Sequence, residues 1–187
     1  GILADNEHRD AIAKLLRFES STTEPGKRTS LAEYVSRMPA DQKEIYYVIA
    51  GSREAALSSP YYEVFAARNF EVLILNESAD EFVLDRVREF DGKTILAAER
   101  AELEVPAQDP AEGQLNDEQA GLLSGWLKST LGEDVDNVSV SKRLATSPAL
   151  AIERDHYLTG TMRRTLKAMN RDRTDAPEVK PDFEINP

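Results

Sequence analysis

An α/β fold is predicted for the first hundred residues, a small parallel sheet with helices on its faces. Two uninterrupted apolar runs, IYYVIA (45–50) and EVLIL (71–75), match strands buried on both faces. A third strand is read at residues 94–99, and the segments between the three carry helical patterning. Strand, helix, strand, helix, strand at this spacing implies parallel pairing.

In chain order, residues 6–19 place Ile12, Leu15, Leu16 and Glu19 at helical spacing and predict an amphipathic helix. SSTTEPGKRTS (20–30) is a loop rich in turn residues. Ser30 and Glu33 have the spacing of a capping box, so a short helix runs to Met38 and stops at Pro39. The first strand ends in Gly51. Residues 52–58 and 60–68 are helical, with Pro60 in a favourable first-turn position. After the second strand, Asp80 stands where an N-cap is expected and Glu81 in the first turn complements the helix dipole. Residues 101–114 (AELEVPAQDPAEGQ) are acidic, hold two prolines and lack a period, which marks a linker. Asn116 caps a helix carrying Leu122, Leu123, Trp126, Leu127 and Leu131, ended by Gly132. Residues 135–144, with Val138 and Val140, read as a half-exposed strand; 149–153 and 183–185 add short strands around a basic amphipathic segment at 156–170 and a polar one at 171–181.

The 187 residues carry a net charge of −11. That argues against nucleic acid as the main partner and against an anionic membrane surface, since both need a basic field. With 41% hydrophobic and 30% charged residues, a packed core is expected rather than disorder. The absence of cysteine excludes disulfides and thiol catalysis, and fits a reducing compartment. No apolar run approaches the roughly 20 residues that span a bilayer, and no signal peptide is visible. Both ends read as cut, so the chain is expected to be a piece of a longer protein.

Signals for chemistry are sparse. His8 and His156 are far apart and without neighbours at ligand spacing, so no metal site is expected. The pairs Ser20–Ser21 and Ser58–Ser59 lack a nucleophile-elbow context. A lone Gly51 after a strand is not a phosphate loop. Asp80 and Glu81 are explained by the start of a helix. Phe82 is not: on a wheel of about 100° per residue it falls roughly 130° from the cluster of Val83, Leu84, Val87 and Phe90, beside Asp85, Arg86 and Glu89. An aromatic there is either covered by a neighbouring element or open to a partner. The stripe Leu158, Met162, Leu166 and Met169, flanked by Arg163, Arg164 and Lys167, poses the same choice between a helix docked on its own domain and a soft, methionine-bearing face offered to other proteins.

Taken together, LLRFESS (15–21), SLAEYVSRM (30–38), QKEIYYVIAG (42–51), SSPYYE (58–63), FEVLIL (70–75), DEFVLDRVREFDGK (80–93) and FEINP (183–187) resemble the Hsp90 chaperone family, its bacterial and mitochondrial branches above all. The resemblance covers nearly the whole chain, in order. It implies that residues 1–100 are the end of a middle domain, a connecting helix and a small three-layer α/β unit with a mostly parallel sheet. Residues 101–115 are then the linker, and 116–187 the first part of a partial α+β C-terminal domain that stops before the dimerisation helices.

The resemblance also implies what the chain does. ATP and Mg would bind an N-terminal domain outside this fragment, the middle-domain arginine that reaches the ATP phosphate would lie upstream, and the homodimer would form through helices downstream; the fragment itself would hold no cofactor and be no enzyme. Its partners would be partly folded client proteins, and its compartment the bacterial cytoplasm, or else the mitochondrial matrix. Carried over by position, the client-contact residues fall on Glu81, Phe82 and Asp85, and on Leu158, Met162, Thr165 and Leu166. Some relatives hold Trp at the position of Phe82 and an apolar residue at that of Thr165. The alternative from a different class is a small-molecule-binding or enzymatic α/β domain using the strand ends near Gly51 and Asn76; stabilisation by nucleotides or divalent metals would favour it.

Overall fold

The computed structural model describes residues 9–106, 113–153, 159, 161–162 and 180–187. The chain divides into two compact units, Gly1–Ala101 and Glu102–Pro187.

The first unit begins with a short helix, α1 (Arg9–Ala13), and then strand β1 (Arg17–Ser20). The expected helix over 6–19 thus extends, among the described residues, only to Ala13. Residues from Arg17 are instead drawn into the sheet, where Phe18 and Ser20 turn inward (burial pattern exposed, buried, half-buried, buried). Leu15, left between the two elements, is 74% exposed. A two-residue strand, β2 (Thr29–Ser30), leads into α2 (Leu31–Arg37). Its capping box is present: the Ser30 hydroxyl accepts from Glu33 N–H at 3.2 Å, and Glu33 accepts from Ser30 N–H at 2.7 Å.

The three expected strands are β3 (Ile45–Ile49), β4 (Val72–Leu75) and β6 (Lys93–Ala97), joined by α3 (Arg53–Leu57) and α4 (Pro60–Ala67), and then by α5 (Ser78–Val87). The two-residue strand β5 (Glu89–Phe90) precedes β6. Strand order is β2-β1-β4-β3-β6-β5. Pairing is parallel only among β4, β3 and β6; β1, β2 and β5 are antiparallel additions at the edges. The sheet is therefore mixed, not mostly parallel: β2 joins β1 and β5 joins β6 through short connections that need no crossover, and β1 adds to β4 by a long-range antiparallel pairing.

The chain steps from β3 to β4 on one side and then back across β3 to β6. Right-handed crossovers in opposite directions place their helices on opposite faces. Alternation along β3 and β4 follows. Ile45, Tyr47, Leu73 and Leu75 join Leu31, Tyr34, Leu84 and Val87 of α2 and α5 in one core cluster. On the other face the Tyr46 ring meets Phe65 of α4 at 4.8 Å and stacks on Phe70 at 6.3 Å. Helix, sheet and helix form three layers.

The second unit holds α6 (Asp117–Leu131), then β7 (Val138–Val140), β8 (Ala149–Ile152) and β9 (Asp182–Ile185) in the order β7-β9-β8, with β7 parallel and β8 antiparallel to β9. Asn116 caps α6, accepting from Gln119 N–H at 2.9 Å while Gln119 accepts from Asn116 N–H. Gly132 ends it at φ 55, and the Lys128 ammonium donates to the carbonyls of Gly132 and Val135. Leu123, Leu127 and Leu131 pack on Val135, Val138 and Ile185. Leu122 and Trp126, placed by pattern on the same helix, instead point outward at 70% and 62% exposure. Among the described residues no helix is long and apolar enough to cross a membrane.

Candidate functional site

Helix α5 carries three of the residues singled out in sequence. It starts at Ser78, with Glu77 as N-cap in extended conformation and no side-chain capping bond. Asp80 is therefore the third helical residue and not the cap. Partial burial, and after it the nearby Glu77 carboxylate, push the Asp80 carboxyl above its ordinary range. Leu84 and Val87, each 1% exposed, anchor the helix in the core, and α5 contacts α1, β4 and β6. Arg88 closes it at φ 63, its N–H bonded to the Leu84 carbonyl at 2.8 Å.

The three residues do not share one surface. Glu81 is fully buried, at 0% exposure. The hydroxyl of Tyr47, in the middle strand β3, donates to Glu81 Oε1 at 3.3 Å. Burial chiefly, then the Glu81 carboxylate, hold the Tyr47 hydroxyl well above the usual phenol range, while the Arg100 guanidinium acts in the opposite sense. Phe82 and Val83 are partly exposed, and Asp85 and Arg86 are exposed. The geometry of the wheel explains this. Glu81 lies about 60° from Leu84, on the flank of the apolar face, whereas Phe82 lies about 160° from it. Glu81, expected from the resemblance to contact clients, thus lies on the buried side of α5.

Of the second group, Leu158, Thr165 and Leu166 lie outside the described residues. Met162 is 3% exposed and its N–H donates to the hydroxyl of the buried Thr159 at 3.1 Å. Its thioether is therefore part of the interior of its own unit, not of an open stripe, as burial of a large apolar side chain favours. The two residues that sequence reasoning missed here are Tyr47 and Arg100. Tyr47 stood inside an apolar run and was read only as strand. The signal for the contact was an acid, Glu81, three residues before Leu84 and six before Val87 on one face.

The strand ends offer little for a nucleotide. Ser52 after β3 caps α3 through Ala55 N–H at 3.1 Å, and Gly51 is not among the glycines with positive φ. This is an ordinary side-chain-capped helix start. Among the described residues no group of three or more His, Asp or Glu is placed to hold a metal ion; both histidines lie outside them.

The family model described as Hsp90 protein matches residues 1–187. The chain is 40% identical over 190 residues to the chaperone protein HtpG of Desulfitobacterium hafniense (strain Y51), covering all of this chain and 30% of that protein. It is 40% identical over 193 residues to the chaperone protein HtpG of Geobacter metallireducens, covering 29% of it, and 39% identical over 198 residues to that of Burkholderia cenocepacia, covering 30%. The chain belongs to the Hsp90 family. It spans less than a third of the length of these relatives.

Proposed function

We propose that this chain supplies client-contact surface and interdomain coupling to an ATP-dependent Hsp90-type chaperone that binds and remodels partly folded proteins. One observation carries the reading: α5 keeps the aromatic ring of Phe82 on the side opposite its core face, partly exposed beside the exposed Asp85. The relatives are named as chaperones, which supports a protein partner over a small molecule. Leu158, Thr165 and Leu166 are proposed as a second contact. ATP and Mg binding, and homodimerisation, are assigned to parts of the relatives that this chain does not span. The bacterial cytoplasm is the proposed compartment.

The test is Phe82→Ala, with affinity read by anisotropy of fluorescein-labelled, reduced and carboxymethylated α-lactalbumin. Full burial of a phenylalanine contributes about 1.5–3 kcal/mol. Since Phe82 is already partly covered, an effect near the lower end is expected, about tenfold weaker binding, with an unchanged unfolding midpoint. Unchanged affinity would remove Phe82 from the contact.

A further inference from the structure

We infer that Glu81 is a positioning residue for the client surface: buried under α5 and bonded to the Tyr47 hydroxyl, it ties the first turns of the helix to the middle strand and so fixes the direction in which Phe82 and Asp85 point. This rests on the surface proposed above and gives its acidic member a different task.

The geometry is the argument. A side chain at 0% exposure cannot meet a client while α5 is in place. Its Oε1 lies 3.3 Å from the hydroxyl of Tyr47, itself 5% exposed. Tyr47 is held on both sides, its neighbours Tyr46 and Val48 pairing with β4 and its own backbone in register with Leu73 and Ala97. It is thus a fixed point. Helix α5 is less well fixed at its start. Its N-cap has no side-chain bond, whereas the caps of α2 and α6 are reciprocal. Its two fully buried apolar anchors, Leu84 and Val87, are in its second half. The Glu81–Tyr47 contact is a buried tie one residue away from Phe82. A carboxylate in this place costs more than an apolar residue would, and the position of a neighbouring contact ring is what that cost maintains.

The experiment compares Glu81→Ala, Glu81→Gln, Tyr47→Phe and Phe82→Ala in the whole chain, using the same labelled lactalbumin and hydrogen exchange of the α5 amides. Glutamine keeps an acceptor for the Tyr47 hydroxyl and no charge. The expected result is that Glu81→Ala and Tyr47→Phe each weaken binding about as much as Phe82→Ala, and that Glu81→Gln restores most of it. Either variant combined with Phe82→Ala should be no weaker than Phe82→Ala alone, because both act through one ring. Exchange of α5 amides should rise about tenfold in Tyr47→Phe and not in Phe82→Ala. Multiplicative losses, or a Glu81→Gln as weak as Glu81→Ala with unchanged exchange, would mean that the carboxylate itself meets the client and would overturn the inference. If Phe82→Ala binds normally while Tyr47→Phe loosens α5, the surface reading fails and Glu81 is only a packing residue. Tyr47→Phe preserves the ring and decides the matter should Glu81→Ala not fold.

Discussion

Tyr34 satisfies three polar groups with one hydroxyl. It donates to the Glu71 carbonyl at 2.5 Å and accepts from Gln42 Nε2 at 2.8 Å and from Tyr46 N–H at 3.1 Å. The side chain of Glu71, 5% exposed, takes both arms of Arg37 (Nε at 3.0 Å, Nη2 at 2.7 Å) and the Ser20 hydroxyl at 2.5 Å. One connected set of bonds thus links β1, α2 and the entries to β3 and β4. Such a network is strong only when complete. In Tyr34→Phe, Gln42 keeps a second acceptor, the Glu44 carbonyl at 2.8 Å, but the Tyr46 amide loses its side-chain partner. The expected loss is about 2 kcal/mol, read as a lower urea midpoint at constant slope, with client affinity unchanged. At this scale the sequence was least legible. IYYVIA announces a buried strand, yet nothing local says that Tyr34 turns its hydroxyl to Glu71 or that Tyr47 turns its own to Glu81. Those partners are 37 and 34 residues apart, and only the fold brings them together. The same holds for Glu81, for which the family resemblance implied a client contact and whose helical phase places it inside.

Elements were legible wherever a local signal was self-contained. Ser30 with Glu33, Pro60 after Ser59, and Asn116 with Gly132 each act within one turn, and α2, α4 and α6 begin or end where they stand. Two signals gave way or went unread. Residues 17–19 belong to the expected helix over 6–19 but lie in β1, where Glu19 pairs with Ile74 of β4, a long-range contact that overrides a weak local preference. Asp91–Gly92, both at positive φ (51 and 69), form the two-residue turn between β5 and β6, a pattern that sequence alone can supply. Helix α5 shows what a missing signal costs. Glu77→Ser places a hydroxyl at an N-cap whose backbone is already extended (φ −120, ψ 137). It should stabilise the helix by about 1 kcal/mol, measurable by urea unfolding. It also removes the second cause of the raised Asp80 pKa. A carboxyl raised in the folded state binds protons more tightly there than in the unfolded chain, so stability falls as pH climbs from Asp80's ordinary value of 3.8 towards the raised one. That fall should be shallower in Glu77→Ser, though still present, since burial is the larger cause.

Across the whole molecule the division into two units follows from where apolar residues find one another. The cluster around Leu73, Tyr47 and Leu84 draws on residues 13–97, and that around Val138 and Ile185 on residues 123–185; among the described residues none belongs to both. Among the described residues of the acidic, proline-bearing stretch 101–114, none belongs to either cluster. Each unit thus has its own described core, so the two need not lose structure together. Leu73, at 0% exposure, and Ile185, at 4%, are comparable probes. Truncating either to alanine should cost its own unit about 2–5 kcal/mol. Hydrogen exchange across a urea series locates the loss. Leu73→Ala should release the amides of β1, β3, β4 and β6 at lower urea and leave β7 and β9 at their original midpoint. Ile185→Ala should do the reverse. A common shift of both sets in either variant would mean that the chain unfolds as one cooperative body, and a client surface on α5 would then be sensitive to every lesion in the second unit. Separate midpoints would instead confine that sensitivity to the first unit, and the effects of Phe82→Ala and Tyr47→Phe on client affinity would be readable without correction for the second.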